Sequence, residues 1–169
     1  TLMNNASILS MGKYKVLDLG NGTGYLDMGA TVGNVISSTT NYTVSVYYRV
    51  DKNASLSGNG FFLWAFSVLA ANNASAGPYL AYRLNAQRFA LSTGGYNNEK
   101  AIEIGGSATK NTWQHILYRQ SGTQGELYLN GKLVGTNTAI PVPSTIFTNA
   151  IPYNWIGRAP FNGDSYLKN

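Results

Sequence analysis

Apolar and polar positions alternate along much of this chain, and the alternation is repeatedly cut by Gly, Asn, Ser or Pro. Successive side chains of a strand point to opposite faces, so a period of two predicts strands with one buried face. The pattern predicts strands over 24–29, 42–50, 60–67, 79–84, 88–93, 112–119, 125–130, 132–136 and 154–158. These segments are rich in Val, Ile, Tyr, Phe and Trp, which suit a pleated, half-buried surface. No segment sustains an apolar period of 3.6, so the chain reads as β throughout. The stretches 51–59, 70–78, 94–100 and 139–153 read as loops. Many short strands with frequent turn signals imply an antiparallel β-sandwich or barrel. It is expected to form one domain over residues 1–169.

The stretch GELYLNGKLVG at 125–135 specifies a hairpin. Asn-Gly between alternating apolar residues favours a type I′ turn, which needs positive φ at both central positions. Leu127 and Leu129 are expected to point inward on one strand and Leu133 on the next, with Tyr128 facing the other way.

Apolar residues make up 44 % of the chain, enough for a core. No apolar run of about 20 residues predicts a membrane span. Charged residues are only 11 %, and the net charge of +5 comes from basic residues spread from Lys13 to Lys168. No basic patch interleaves with aromatics, which argues against a nucleic-acid partner. Asn, Gly, Ser, Thr and Tyr must cover the surface, a composition that suits an extracytoplasmic protein meeting neutral polymers. The absence of cysteine excludes disulfides, thiolate nucleophiles and cysteine-held zinc. Asn-x-Ser/Thr triplets begin at Asn5, Asn21, Asn41, Asn53 and Asn73, a number a chain this rich in Asn, Ser and Thr produces by chance.

Trp113-x-His115, leading through an apolar strand to Gly125-x-Leu127-Tyr128-Leu129-Asn130-Gly131-Lys132-Leu133-Val134, resembles the laminin-G-like, concanavalin A-like jelly roll. Three further pieces match in order. VLDLGNGTGYLDMG (16–29) is similar to the family's opening strand pair, NYTVSVYYRV (41–50) to its aromatic-Thr-x-Ser strand, and NWIGRAPFNGDSYLKN (154–169) to its late strand and loop. The resemblance is strongest to modules appended to bacterial polysaccharide-degrading enzymes of the glycoside hydrolase family 43 type. It implies a secreted carbohydrate-binding module, a covalently attached catalytic domain and a plant polysaccharide such as arabinan or xylan as partner. The alternative is a structural or protein-interaction module bracing a catalytic neighbour. In the family a further strand follows the Gly-Asp-x-Tyr-Leu segment, so the sequence is expected to be a fragment of a longer protein continuing past Asn169.

The chemistry-bearing residues are few. Glycoside hydrolysis usually needs two carboxylates at a defined separation. Of the seven acids only Glu99 and Glu103 are close in sequence, and they flank a Gly- and Asn-rich turn with no aromatic platform, so the chain is expected not to be an enzyme. His115 lacks a triad partner in its strand, and its family position within the sheet implies a structural role. The family also implies a structural calcium near a sheet rim. Asp27, Asp51 and Asp164, near Gly or Asn, are the candidate ligands. No Asp-rich loop supplies the six to eight oxygens calcium takes.

Sugars present apolar C–H faces ringed by hydroxyls, so their sites combine aromatic rings with planar polar groups. Inward-pointing Val44, Val46 and Tyr48 would leave Tyr47 and Arg49 outside. Inward Ile116 and Tyr118 would leave His115 and Arg119 outside, and inward Leu80, Tyr82 and Leu84 would leave Arg83 outside. Tyr47, Arg49, Arg83, His115 and Arg119 are therefore expected to share one concave, cationic face, a set that would also suit uronates. Tyr96 and Asn97 are the best loop candidates for a sugar contact. Trp64, Trp113 and Trp155 sit within apolar patterns and are expected to pack inside, whereas Tyr79, Tyr96 and Tyr153 are expected to be freer.

Overall fold

A computed structural model describes residues 1–20, 22–84, 86–106 and 109–168; Asn21, the start of one Asn-x-Thr triplet, and Asn169 lie outside them. The elements in chain order are β1 (Leu2–Met3), β2 (Ser7–Met11), β3 (Tyr14–Asp18), β4 (Tyr25–Asp27) and α1 (Ala30–Ser38). They continue with β5 (Asn41–Tyr48), β6 (Gly60–Ser67), β7 (Gly77–Arg83), β8 (Ala86–Ser92), a 3₁₀ turn (Tyr96–Asn98) and β9 (Glu99–Ile104). The last are β10 (Gln114–Ser121), β11 (Gln124–Leu129), β12 (Lys132–Asn137), α2 (Pro143–Ile146), β13 (Tyr153–Ile156) and β14 (Ser165–Tyr166).

Two sheets form the expected sandwich. The larger runs β1-β4-β13-β6-β7-β8-β9, with β14 also beside β6, and the smaller runs β12-β11-β10-β5. Between them lies one apolar core, to which the small sheet contributes Ile116, Tyr118 and Leu127 and the large sheet Leu80, Phe89 and Leu91. Phe89 and Tyr118 stack across the core with ring centroids 3.4 Å apart. β5 forms one edge of the small sheet.

β6 shows why a run as apolar as GFFLWAFS is required. Every residue of it is buried, because the core covers one face and a returning segment covers the other. Phe61 has a φ of 59° and the pairing with β7 shifts between Phe62 and Trp64. Such a bulge re-aims side chains, so Leu63 and Trp64 both reach the core while Phe62 turns outward to Tyr79 and Phe161.

The hairpin forms as expected, with Asn130 at φ 50° and Gly131 at φ 80°. Leu133, however, is exposed. A two-residue turn pairs Leu129 with Lys132 and Tyr128 with Leu133. Register decides facing, so Leu133 shares the outward face of Tyr128 and Val134 packs on the core. The segment 16–29 is not a strand pair: β3 pairs with β2 in a separate hairpin, while β4 joins β1 and β13. Leu84 is exposed at φ 50°, in the turn beyond β7, and does not point inward. Trp113 is also exposed, whereas Trp64 and Trp155 are buried as expected. Of the aromatics expected to be freer, Tyr96 and Tyr153 are exposed but Tyr79 is buried.

α1 departs from an all-strand reading. Its nine residues are too few to display a sustained period, and their buried side is Gly33 and Ile36. A Cβ on Gly33 would lie 1.7 Å from the Ile151 carbonyl oxygen. Only glycine therefore lets the helix seat against that loop.

The two hairpin leucines make a paired test of this register. Leu127→Ala is expected to cost about 2–5 kcal/mol, the range for a fully buried leucine, and Leu133→Ala about 0.5 kcal/mol or less. Urea unfolding of both variants measures the difference; equal losses would place both side chains on one face.

Candidate functional site

Strand alternation determines which residues reach the outside of the large sheet. On β7, Leu80 and Tyr82 enter the core, so Tyr79, Ala81 and Arg83 face outward. Beside them Phe62 of β6 also faces out. After β13 the chain crosses over this face before returning to β6 as β14. Its Ala159 and Phe161 pack on Phe62 and Tyr79, with Phe161 edge-on to Tyr79 at 5.7 Å.

This crossing creates a cavity of about 330 Å³ on the outer face of the large sheet. Phe62, Tyr79 and Ala81 form its apolar floor. Asn59, Asn73, Arg83, Tyr96, Phe161, Asn162 and Asp164 complete the lining. Tyr96 is half-exposed, leaving ring surface open to a ligand. The Arg83 Nε donates to Asn59 Oδ1 at 3.3 Å. The Asn162 amide donates to Asn73 Oδ1 at 3.1 Å, and the Asn72 amide to the Pro160 carbonyl at 3.0 Å. Burial raises the Asp164 carboxyl above its ordinary range, with the nearby Arg83 guanidinium working against that rise and Glu99 adding to it. Burial acts in that direction because it disfavours the charged form.

Beside the cavity lies an ion-pair network. Arg88 of β8 meets Glu99 at 2.5 Å and Glu103 at 3.4 Å, and the Tyr79 hydroxyl donates to Glu99 at 2.8 Å. The two carboxylates thus lie on one strand face with an aromatic alongside, rather than flanking a turn without one. The Glu99 side chain is 2 % exposed and is engaged by both Arg88 and Tyr79. Burial, followed by Glu99, pushes the Tyr79 hydroxyl up, so it stays protonated and donates.

The expected single cationic face is divided between the two sheets. Arg83 and Tyr96 meet at the cavity on the large sheet. Tyr47, His115 and Arg119 lie on β5 and β10, and Val46, Ile116 and Tyr118 of the same strands point into the core. Their outward side is therefore on the opposite surface of the molecule from Arg83. A sandwich has two outer faces, and outward positions on different strands need not share one.

On that other surface Tyr47, 70 % exposed, stacks on His115 with ring centroids 4.5 Å apart. His115 Nε2 hydrogen-bonds Ser45 Oγ at 2.7 Å. The Asn130 side chain accepts from the His115 backbone amide at 2.9 Å, tying the hairpin turn to β10. Arg49 lies over the Trp113 ring, and Arg119 approaches Glu126 at 3.7 Å. Asn97 is exposed in the 3₁₀ turn beside Tyr96 but does not line the cavity.

The three aspartates expected at a calcium site have separate local roles. Asp27 accepts the Gly29 amide and Asp51 the Asn53 amide, both two residues on, while Asp164 lines the cavity. Among the described residues no group of three or more His, Asp or Glu could hold a metal ion. Asn59, Asn73, Phe161 and Asn162 were not foreseen as site residues. The available signal was that loops 51–59 and 70–78 are rich in Asn, but nothing local showed that the segment after β13 would lie over them.

The chain belongs to the concanavalin A-like lectin/glucanases superfamily, whose laminin-G-type model matches residues 20–168. No curated protein matches it in sequence. Among solved structures it is similar to domain 4 of AbnA, a GH43 extracellular arabinanase from Geobacillus stearothermophilus in complex with arabinotriose. That match has a TM-score of 0.68 and 14 % identity, covering 99 % of this chain and 72 % of the other. It is also similar to the CBM40 of the Ruminococcus gnavus IT-sialidase bound to α2,3-sialyllactose, at a TM-score of 0.64 and 16 % identity, over 89 % and 81 % of the two chains. A third similar structure is mouse laminin α1 domains LG4-5, at 0.56 and 11 % identity, over 89 % and 38 %. At these identities the likeness establishes the fold.

Asp164, raised on folding by burial, provides a test of the cavity's electrostatics. Such a carboxyl contributes stability that is fully present below its unfolded pKa and lost as pH rises through its folded pKa. Asp164→Asn is therefore expected to be more stable than the parent at pH 7, with the gain shrinking as pH falls through the carboxylate range. Thermal unfolding from pH 3 to 7 measures this, and a pH-independent difference would contradict it.

Proposed function

We propose that this member of the superfamily is a non-catalytic carbohydrate-binding module of a secreted, bacterial polysaccharide-degrading enzyme, with a plant glycan such as arabinan or xylan as ligand. The observation that carries the reading is the cavity beside Arg83. It combines an apolar aromatic floor, the open ring of Tyr96 and planar polar groups from Arg83, Asp164 and asparagines. A sugar ring needs those elements together: stacking for its C–H face and paired donors and acceptors for its hydroxyls. The arabinotriose complex of the similar AbnA domain and the sialyllactose complex of the similar sialidase module support the reading.

The carboxylates support a non-catalytic role. A glycosidase keeps one carboxyl free to give a proton and another free to attack or activate water. Glu99 and Glu103 instead both meet Arg88, and Glu99 also holds Tyr79. An extracytoplasmic location and an attached catalytic domain follow from the same reading. Among the described residues no helix is long and apolar enough to cross a membrane.

The second reading is a module that braces a catalytic neighbour without binding sugar. The β2–β3 hairpin favours it, because Leu9, Met11 and Tyr14 are exposed on one face of this two-stranded unit. An exposed apolar patch of that kind marks a packing surface.

Affinity electrophoresis in gels holding arabinan, xylan or no polymer separates the two. Retardation in a polymer gel is expected, lost in Arg83→Ala and Tyr96→Ala and kept in Tyr47→Ala. Uniform migration in all gels would favour bracing, and loss in Tyr47→Ala alone would move the site to the small sheet.

A further inference from the structure

Resting on the carbohydrate reading, we infer that the cavity seats a single uncharged terminal sugar unit rather than the interior of a polysaccharide chain. Three observations lead there.

The first is enclosure. The segment crossing the large sheet is tied to the β6–β7 loop through Asn72 to Pro160 and Asn162 to Asn73. These bonds bridge the two segments where Asn73 and Asn162 line the cavity, and a third bond joins Arg83 to Asn59, also in the lining. A chain interior must enter one end and leave by the other, whereas a terminal unit needs only one opening.

The second is size. The cavity measures about 330 Å³. Ligand sites begin at about 300 Å³, so this one is among the smallest. It accommodates a short ligand rather than a run of sugar units.

The third is charge and hydrogen-bonding capacity. Among the described residues, Arg83 is the one cationic and Asp164 the one anionic side chain lining the cavity, so the lining carries no net charge. Buried Glu99 lies close enough to influence Asp164. Like charges placed together are costly, so the cavity is a poor seat for a uronate or sialate carboxylate. Asn59 and Asn73 each use their carbonyl oxygen within the wall, leaving their amide N–H groups as donors. Arg83 commits only its Nε, leaving its terminal N–H groups as donors, and the Asp164 carboxylate is an acceptor. Hydroxyls both donate and accept, so an array of neutral hydroxyls satisfies this mixed set, whereas a carboxylate meets only half of it.

The test is calorimetric stoichiometry. The domain is titrated with arabinan and xylan before and after limited endo-cleavage, and with oligogalacturonate as the acidic probe. The expected capacity per gram of the bound polymer rises in proportion to the number of chain ends, doubling for an unbranched polymer when each chain is cut once on average. Oligogalacturonate is expected to bind at least tenfold more weakly, and Asp164→Asn, checked for folding by circular dichroism, to lose at least tenfold in affinity for the neutral polymer. A capacity per gram unchanged by cleavage would show binding along the chain and overturn the inference while leaving the carbohydrate reading intact. Equal or tighter binding of oligogalacturonate would overturn the assignment of an uncharged ligand. No heat with any of the three would overturn the carbohydrate reading itself.

Discussion

The fold and its site both depend on a buried polar knot between the sheets. The Tyr48 hydroxyl of β5 meets that of Tyr82 on β7 and donates to Gln114 on β10 at 3.0 Å. Gln87 of β8 donates to both tyrosine oxygens at 3.0 Å. Burial pushes the Tyr48 hydroxyl up to about 12 and raises that of Tyr82 further, so both stay protonated and can donate. A buried hydroxyl without a partner is costly, so the knot strongly favours one facing for β7 and β8. A one-residue slip in β7 would withdraw Tyr82 from the knot and turn Arg83 into the core.

From that facing the outer surface follows. With Leu80 and Tyr82 inside, β7 presents Tyr79, Ala81 and Arg83 outward, and β8 presents Arg88 toward Glu99 and Glu103 of β9. The crossing segment then finds an aromatic floor to pack on and neighbouring loop groups to bond. Rigid strands supply the floor and loops supply the rim, a division in which the scaffold positions variable chemistry. The cost is concentrated at the cavity, where Asp164 is partly desolvated with its carboxyl held above the ordinary range. Groups held against their own preference are expected where a surface is shaped for a ligand rather than for stability.

Much of the fold was legible in local pattern. β6 has the bounds expected from its apolar run, and the Asn130-Gly131 turn formed with both φ values positive. The alternation in β5, β7 and β10 correctly sent Val46, Tyr82 and Ile116 inward. What local pattern could not contain was the assignment of strands to sheets. Tyr47 and Arg83 are both outward, but on different sheets, and no spacing within either strand records that. The helix Ala30–Ser38 was hidden by its shortness, since a period of 3.6 needs several turns to show. β9 was hidden because its first residues fall in the Gly- and Asn-rich stretch 94–100, which reads as a loop until Arg88 is placed opposite the two carboxylates of the strand. The site was the least legible part, since its walls come from loops distant in sequence that Asn162 and Asn73 join.

The central claim is that sugar recognition belongs to the outer face of the large sheet. Backbone amide NMR during titration with arabino- and xylo-oligosaccharides tests it most directly, because each amide reports its own surroundings. The account predicts that shifts concentrate at Gly60, Asn73, Tyr96, Asn162 and Asp164, with Ser45, Tyr47 and His115 unmoved. Shifts centred on Tyr47 and His115, with the cavity amides still, would contradict it.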